Sequence, residues 1–435
     1  MTNQLTFSIV RILAANGKVT GGGFLVGEKR VLTCADMVAQ ALGIAPDVEA
    51  IPAGEVGLDF PFIAPGRTVK AKVVFWQPAK PGAAASPTGG ENIAVLELER
   101  TSPRPQPHLY AGPTETHYDQ VMDAITQGEL VPFLGAGVNL CGRPEGKSWE
   151  LGLYLPSGTE LAAHLAKEFS YPLDEVQDLV RVSQYVALTR GSGPLYRQLR
   201  RVFDADYPPT PLHEFLATLP AILREKGYPP YQLIVTTNYD DVLERAFRAA
   251  NEPLDIVTYV AESIQGQRGR FLHWLPNGEA KLIDKPNEYT DLSLDADDNL
   301  QGAVILKIHG AVDRMTKEAQ SRRDSFVITE DQYIDYLTRA DVSNLVPVSL
   351  AGKLKRSNFL FLGYSLRDWN LRVILHRIWV EQEKNVNYNS WAIQLNPQEL
   401  DRRFWEKRDV EIINISLEDY VAQLRARALA LPKAE

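Results

Sequence analysis

Two patterns of apolar positions divide the chain. Over the first hundred residues, short alternating runs follow one another: FSIVRIL, GGFLVG, RVLTCA, KAKVVFW and NIAVLEL, separated by Gly and Pro. Alternation with period two marks strands covered on one face, and five in succession predict a small all-β unit over 1–105. From about residue 119 the runs change. VPFLGAG, LIVTTN, AVILKIHG, NFLFLGYS, SWAIQLN and VEIINIS are apolar without alternation, as strands buried on both faces are. Helical periods lie between them: Leu161, Ala162, Leu165 and Phe169 share one face, and so do Val242, Leu243, Ala246 and Phe247. LEDYVAQLRARALAL reads as a final helix. Strands and helices in alternation predict an α/β fold, a doubly wound, Rossmann-like parallel sheet with helices on both faces.

The segment between the two patterns, TSPRPQPHLYAGPTETHY, holds four prolines and neither period. Residues 106–118 are read as a linker on that ground, and 119–435 as the second domain. PAKPGAAASPTGG, residues 78–90, reads as a loop. Residues 261–302 are rich in Gly, Asn and Asp without a clear period, and read as an excursion able to cover a cleft as a lid.

Composition narrows the class. Cys34 and Cys141 are the only cysteines, which excludes a disulfide framework and a four-cysteine zinc site and fits a reducing cytosol. Net charge is −9, and residues 1–110 hold 10 Lys+Arg against 9 Asp+Glu, so the excess of acid lies in the remainder. Neither part has the surplus of cations that phosphate neutralisation needs, so there is no strong nucleic-acid signal. No apolar run approaches the roughly 20 residues of a membrane span, and MTNQLTFSIVRIL does not read as a signal peptide. The expectation is a cytoplasmic protein without membrane contact.

In an open parallel sheet, ligands bind outside the carboxyl ends of the strands, near the point where strand order reverses. The residues following each strand are therefore the candidates. After LVPFL come Gly135, Ala136, Gly137 and Asn139. Small residues there let backbone N–H groups approach a diphosphate, and they equally make a tight turn with no ligand. After LIVT come Thr237, Asn238, Asp240 and Asp241. Thr237 and Asn238 offer a hydroxyl and an amide to a sugar, whereas Asp240 or Asp241 caps the next helix. Asn238 stands too early to be the obvious cap, which favours a ligand role. His309 and Gly310 end AVILKIHG, and a histidine so placed suits proton transfer near neutral pH, although a lone strand-end histidine is more often structural. Gly363 and Ser365 end NFLFLGYS, and Asn396 ends SWAIQL; both also fit turn chemistry.

Together GAGVN, TTNYD, KIHG and GYSLRD resemble the zinc-free bacterial branch of the sirtuin family, and YLPSGTELAAHLA and SFVITEDQYIDYL are similar to it too. The resemblance covers residues 119–435 and implies NAD as substrate. It places Gly135, Ala136 and Gly137 at the diphosphate, and Asn139 where that branch usually has serine. It places Thr237, Asn238 and Asp240 toward the nicotinamide ribose, and Gly363, Ser365 and Asn396 toward the adenosine side. Asn238 would position a water or ribose hydroxyl, and His309 would act as its base. The paired cysteines of the deacetylase branch are missing, so no zinc is implied and water becomes the acceptor. The implied function is an NAD+ glycohydrolase releasing nicotinamide and ADP-ribose, a regulated, homo-oligomeric effector of bacterial antiphage defence that depletes NAD. The alternatives are a non-catalytic NAD or ADP-ribose sensor and, less favoured, an NAD-dependent protein deacylase.

GGGFLVGEKRVLTCADMV resembles the first barrel of trypsin-like serine proteases. Asp36 stands where that family has its catalytic histidine, Asn92 where it has its aspartate, and no GDSGG-like serine motif occurs. The triad works as a unit, so the resemblance implies a degenerate, non-proteolytic half of such a protease. Such a unit either packs on its neighbour or docks a phage-derived trigger or a partner defence protein.

Overall fold

The computed structural model describes residues 9–26, 29–60, 64–78, 92–98, 115–172, 175, 177–261, 267–292, 302–316, 323–337, 346–364, 375, 378, 388–398, 402, 405 and 410–434. The chain forms two compact units, Met1–Leu109 and Tyr110–Glu435.

In the first unit β1 (Ile9–Leu13), β2 (Val19–Val26), β3 (Arg30–Thr33), β4 (Glu55–Phe60), β5 (Ala64–Gln77) and β6 (Ile93–Leu98) close a barrel in the order β1-β2-β3-β6-β5-β4. The alternation seen in the sequence becomes inside and outside. Val10, Ile12, Val31, Ala94, Leu96 and Leu98 fill the barrel, and the helix Ala35–Leu42 adds Val38 and Ala39 to that core. Strand β4 was not expected, because EVGLDF mixes Gly and charge with few apolar positions. Its Asp59 instead takes the guanidinium of Arg11 across the β1–β4 pair. Beyond Pro78, the loop expected over 78–90 lies outside the described residues, as do 101–114.

The second unit is built on β7 (Leu130–Leu134), β8 (Gln232–Thr236), β9 (Leu254–Tyr259), β10 (Phe271–Trp274), β11 (Ala280–Ile283) and β12 (Ala303–Lys307). A two-residue pair, β13 (Gly310–Ala311) and β14 (Ser325–Phe326), follows. Then come β15 (Asn358–Leu362), β16 (Ser390–Gln394) and β17 (Val410–Asn414). The large sheet runs β11-β10-β9-β12-β8-β7-β15-β16-β17. Seven strands from β9 to β17 are parallel, and β10 and β11 are antiparallel.

The sheet is thus mixed rather than wholly parallel. Part of the stretch read as a lid, 271–283, is a hairpin that extends the sheet edge. Its four-residue strands are too short to show a period, and a polar turn through Asn277 and Gly278 separates them. The rest of the linker reading also shifts. The helix Glu115–Thr126 begins inside it, so 115–118 are a first turn with His117 and Tyr118 buried.

Burial on both faces explains why the strand runs do not alternate. Val131, Phe133, Val304, Leu306, Phe359 and Phe361 enter one core. Leu130, Leu134, Ala303, Ile305, Leu360 and Leu362 enter the other. Pro132 sits in this sheet without cost because β7 pairs with β8 only from Phe133 onward, so its missing N–H leaves no gap in that ladder. Strand order reverses at β7, with β8 on one side and β15 on the other, and the carboxyl ends of these strands are where open α/β sheets bind their ligands.

Candidate active site at the strand ends

The turn after β7 is packed against the turn after β15. The Gly135 N–H donates to Leu362 O (3.0 Å) and the Gly137 N–H to Gly363 O (2.8 Å). A Cβ on Gly135 would stand 2.7 Å from Gly363 O, one on Gly137 2.6 Å from it, and one on Gly363 2.2 Å from the Val138 N. Gly363 also has φ +66°, a left-handed conformation. These glycines therefore have a reason internal to the protein, the contact of two backbones. The expectation that the Gly135 and Gly137 N–H groups face a diphosphate is corrected, because both are taken by carbonyls of β15 and its turn. Asn139, next in the short 3₁₀ turn Ala136–Leu140, is buried. Its Nδ2 reaches Pro156 O at 3.5 Å, and its Oδ1 meets no partner among the described residues.

On the other side of β7, register sets the geometry. Lys307 pairs with Thr236 across β12 and β8. Asn238 follows the end of β8 by two residues and His309 follows the end of β12 by two, so they stand at neighbouring strand ends. The two ends stay laced together: Ile308 N–H donates to Thr236 O (3.1 Å) and Val312 N–H to Tyr239 O (2.9 Å). Asn238 is half-buried. Its backbone N–H donates to Thr236 Oγ1 (3.0 Å) and its Nδ2 to Gly135 O (3.3 Å), tying the β8 end to the β7 turn. Thr237 accepts from the Tyr364 hydroxyl (3.3 Å), and Tyr364 O accepts from Gln394 Nε2 (3.0 Å), which carries the tie on to β15 and β16.

His309 is buried, edge-on to Tyr333 (ring centroids 5.2 Å apart) and Tyr336 (6.4 Å) of the helix Glu330–Leu337. Val327 fixes this region from both sides, since its N–H donates to His309 O (2.8 Å) and its O accepts from the Tyr239 hydroxyl (2.8 Å). What packs over Tyr239 and Phe326 is a helical cluster: Leu161 and Leu165 from Gly158–Glu168, Val182 and Val186 from Leu179–Arg190, and Leu199 from Ser192–Phe203. The cover over this end is helical and comes from residues before β8.

Asp240 points into the protein. It is buried, its Oδ1 accepts from the Val242 N–H (3.1 Å), and burial raises its carboxyl pKa against the pull of Lys307. The helix's N-cap is Asp241, whose side chain makes no cap bond, and Asp240, one residue earlier, satisfies the first helical N–H in its place; its carboxyl is turned into the protein. Asn396 is exposed at φ +51° with its N–H on Asn414 Oδ1 (2.8 Å), a turn residue at the end of β16. Ser365 lies outside the described residues.

Reasoning from sequence missed Lys307, Glu244, Tyr333, Tyr336 and Tyr364. One signal was available: a lysine inside the buried run AVILKI must have a partner, because an isolated buried charge costs several kcal/mol, about as much as a whole domain's margin. Among the described residues, no group of three or more His, Cys, Asp or Glu is arranged to hold a metal ion, and no helix is long and apolar enough to cross a membrane.

A doubly wound sheet thus carries an asparagine and a histidine at the ends of neighbouring strands, which defines an α/β class of fold and site. Comparison with known proteins narrows that class. Residues 232–413 match the SIR2-like domain. The chain is 28% identical over 271 residues to the NAD(+) hydrolase ThsA of Acinetobacter baumannii (strain 532279), covering 61% of this chain and 42% of that protein. It is 29% identical over 265 residues to the NAD(+) hydrolase ThsA of Enterococcus faecium, covering 60% and 42%. It is 22% identical over 302 residues to Defense-associated sirtuin 2 of Bacillus subtilis, covering 68% and 24%. The chain thus spans less than half the length of these relatives.

Proposed function

We propose that the second unit cleaves the bond between ribose and nicotinamide in NAD, giving nicotinamide and ADP-ribose. The observation that carries this reading is the pairing of β12 with β8, which sets His309 and Asn238 at neighbouring strand ends inside the stretch that matches the SIR2-like domain. A water held by Asn238 attacks the ribosyl carbon from one face. Its oxygen bonds that carbon as the carbon–nitrogen bond to nicotinamide breaks, and His309 takes the proton. The pyridinium nitrogen keeps the bonding pair and leaves neutral. Gly135, Gly137 and Gly363 form a wall of bare backbone along which the diphosphate lies, with Ala136 beside it, Thr237 at the ribose and Asn396 toward the adenosine; Ser365, outside the described residues, is assigned to the adenosine side by the resemblance alone. Asn139 sits behind that wall, and Asp240 shapes the loop from inside.

In purified protein in its active state, supplied with NAD, nicotinamide release measures the activity. Asn238→Ala and His309→Ala are each expected to lower it by about a hundredfold or more. Unchanged release in both variants would remove the assignment. Adding an acylated peptide separates hydrolysis from deacylation, since a deacylase would release nicotinamide only with the peptide present.

The relatives named as NAD(+) hydrolases and as a defence-associated sirtuin support a defence effector that depletes NAD; that it is regulated, homo-oligomeric and cytoplasmic belongs to the proposal alone. For the first unit, 1–105, the reading is a protease-like barrel that docks a phage-derived trigger or a partner defence protein. The contact that supports the protease-like part of this reading is between the two altered triad positions: the Asp36 N–H donates to Asn92 Oδ1 (2.9 Å), and Asn92 has φ +76°.

A further inference from the structure

The feature the reaction above leaves unused is a buried ion pair beside it. Lys307 ends β12 with 2% of its side chain exposed, and Glu244, in the first turn of the helix Val242–Ala249, has 5%. Lys307 Nζ donates to Glu244 Oε1 (2.6 Å) and to the backbone carbonyl of Asp240. Burial raises the Glu244 carboxyl pKa, and the neighbouring ammonium pulls it back down.

Stability does not explain this arrangement. Lys307 shares its face of β12 with Ala303 and Ile305, which meet Leu243, Ala246 and Phe247 in an apolar core. An apolar pair of similar volume would fill the same space without stripping water from two charges, and such replacements are often neutral or stabilising. Glu244 Oε2 and Asp240 Oδ2 are buried and meet no partner among the described residues, so the cluster is not arranged to satisfy every oxygen.

What the pair does is join two segments. Lys307 stands two residues before His309, and the carbonyl it grips belongs to Asp240, two residues after Asn238. Glu244 holds the same ammonium from the helix that this loop opens, and Asp240 Oδ1 caps that helix at Val242. One ammonium thus fixes the His309 strand end, the Asn238 loop and the following helix at one point. A methylene chain in its place would fill volume but would leave the Asp240 carbonyl without its donor.

We propose that Lys307 and Glu244 are positioning residues for the nicotinamide-releasing site, the buried ammonium setting the spacing between the loop of Asn238 and the strand end of His309. This rests on the NAD-cleaving reading. The group that benefits is the water between Asn238 and His309, whose alignment matters in the transition state and little for holding NAD. The pair should therefore act on kcat and leave KM nearly alone.

The experiment compares wild type, Lys307→Met, Lys307→Met/Glu244→Leu, Glu244→Gln, His309→Ala and, as a control, Arg224→Met/Glu252→Leu. The control removes another ion pair (2.6 Å), whose Glu252 precedes β9 at the amino end of the sheet. Thermal midpoint, kcat and KM for nicotinamide release are measured on each. The double variant at Lys307 and Glu244 is expected to recover the midpoint lost in Lys307→Met while kcat stays at least about tenfold low and KM stays within about threefold. The control is expected to keep kcat. Glu244→Gln, whose amide oxygen still accepts from Lys307, is expected to keep kcat within about threefold.

Recovery of kcat together with stability in the double variant would overturn the proposal, since the pair would then be structural alone. So would a tenfold loss in Glu244→Gln, which would make charge rather than position the operative property. If wild type in its active state releases no more nicotinamide than His309→Ala, the NAD-cleaving reading itself falls and takes this inference with it. That outcome is distinct from an active wild type whose double variant keeps full kcat.

Discussion

The two flanks of β7 are held in different ways. Toward β15, the contact is backbone on backbone: Gly135 and Gly137 lie against Gly363 with no room for a methyl group on any of the three. Toward β8 and β12, it is side-chain chemistry: Asn238 on Gly135 O, Tyr239 on Val327 O, and Lys307 on Glu244 and Asp240. The first flank is steric and depends on what is missing from three residues. The second is polar and depends on a matched set of donors and acceptors. A binding wall can be built from bare backbone, because it only has to be approached. A reacting centre needs oriented groups, and the oriented groups are on the second flank.

Breaking the steric flank should have the largest effect on folding. Gly363→Ala forces a Cβ onto the Val138 N at a left-handed φ. It is expected to destabilise the second unit by about 3 kcal/mol or more, seen as a large drop in thermal midpoint or loss of folded protein. Gly158→Ala, at a helix start with nothing within 4 Å of the new methyl, is the control and is expected to change little. A midpoint for Gly363→Ala equal to that control would break the steric account.

On the polar flank the expectation is asymmetric. Lys307→Met leaves Glu244 buried without its cation and should cost about 3–5 kcal/mol, whereas removing both charges together should cost far less. Equal losses in the single and double variants would show that packing, not charge, holds this side.

A smaller effect is carried by pH. His213, buried in the helix Pro211–Lys226, accepts at Nδ1 from the Thr210 N–H (3.2 Å), and burial with Lys307 and Arg245 nearby lowers its pKa from 6.5 to about 3. The native state keeps it neutral while the unfolded chain takes up a proton below pH 6.5. Its contribution is therefore full above that pH and is lost as pH falls toward about 3, with a slope of roughly 1.4 kcal/mol per pH unit. In denaturant titrations between pH 6 and 4, His213→Gln should show a shallower loss of stability than wild type; an unchanged slope would refute it. The smallest effect is expected at Asn139. Its one side-chain hydrogen bond among the described residues is 3.5 Å long, so Asn139→Ser should shift stability by less than about 1 kcal/mol in the same titration.

The strands of both units were legible because burial writes itself into periodicity. Five of the six barrel strands and six of the seven parallel strands coincide with runs recognised by alternation or by its absence. LDIVTY (β9) escaped because Asp255 and Thr258 interrupt its apolar run, and β10 and β11 because four residues carry no period. Most of the helices escaped as well. Leu179–Arg190 has too little apolar asymmetry to show a face, and its burial comes from neighbours that no local window contains.

The candidate residues divide along the same line. Sequence placed Asn238 and His309 at strand ends, since a polar residue directly after an apolar run can be nowhere else. It could not bring them to neighbouring strand ends, because the pairing of Lys307 with Thr236 across β12 and β8 is set by the sheet and not by any local window. Nor could it separate the roles of three glycines and two aspartates. Gly135 and Gly137 are small because Gly363 approaches them, and Asp240 turns inward because Val242 needs a cap and Lys307 holds its carbonyl. Local chemistry determined which residues stand at the edge of the sheet. Only tertiary packing decided which of them face a ligand and which face each other, because that depends on contacts between segments far apart in the chain.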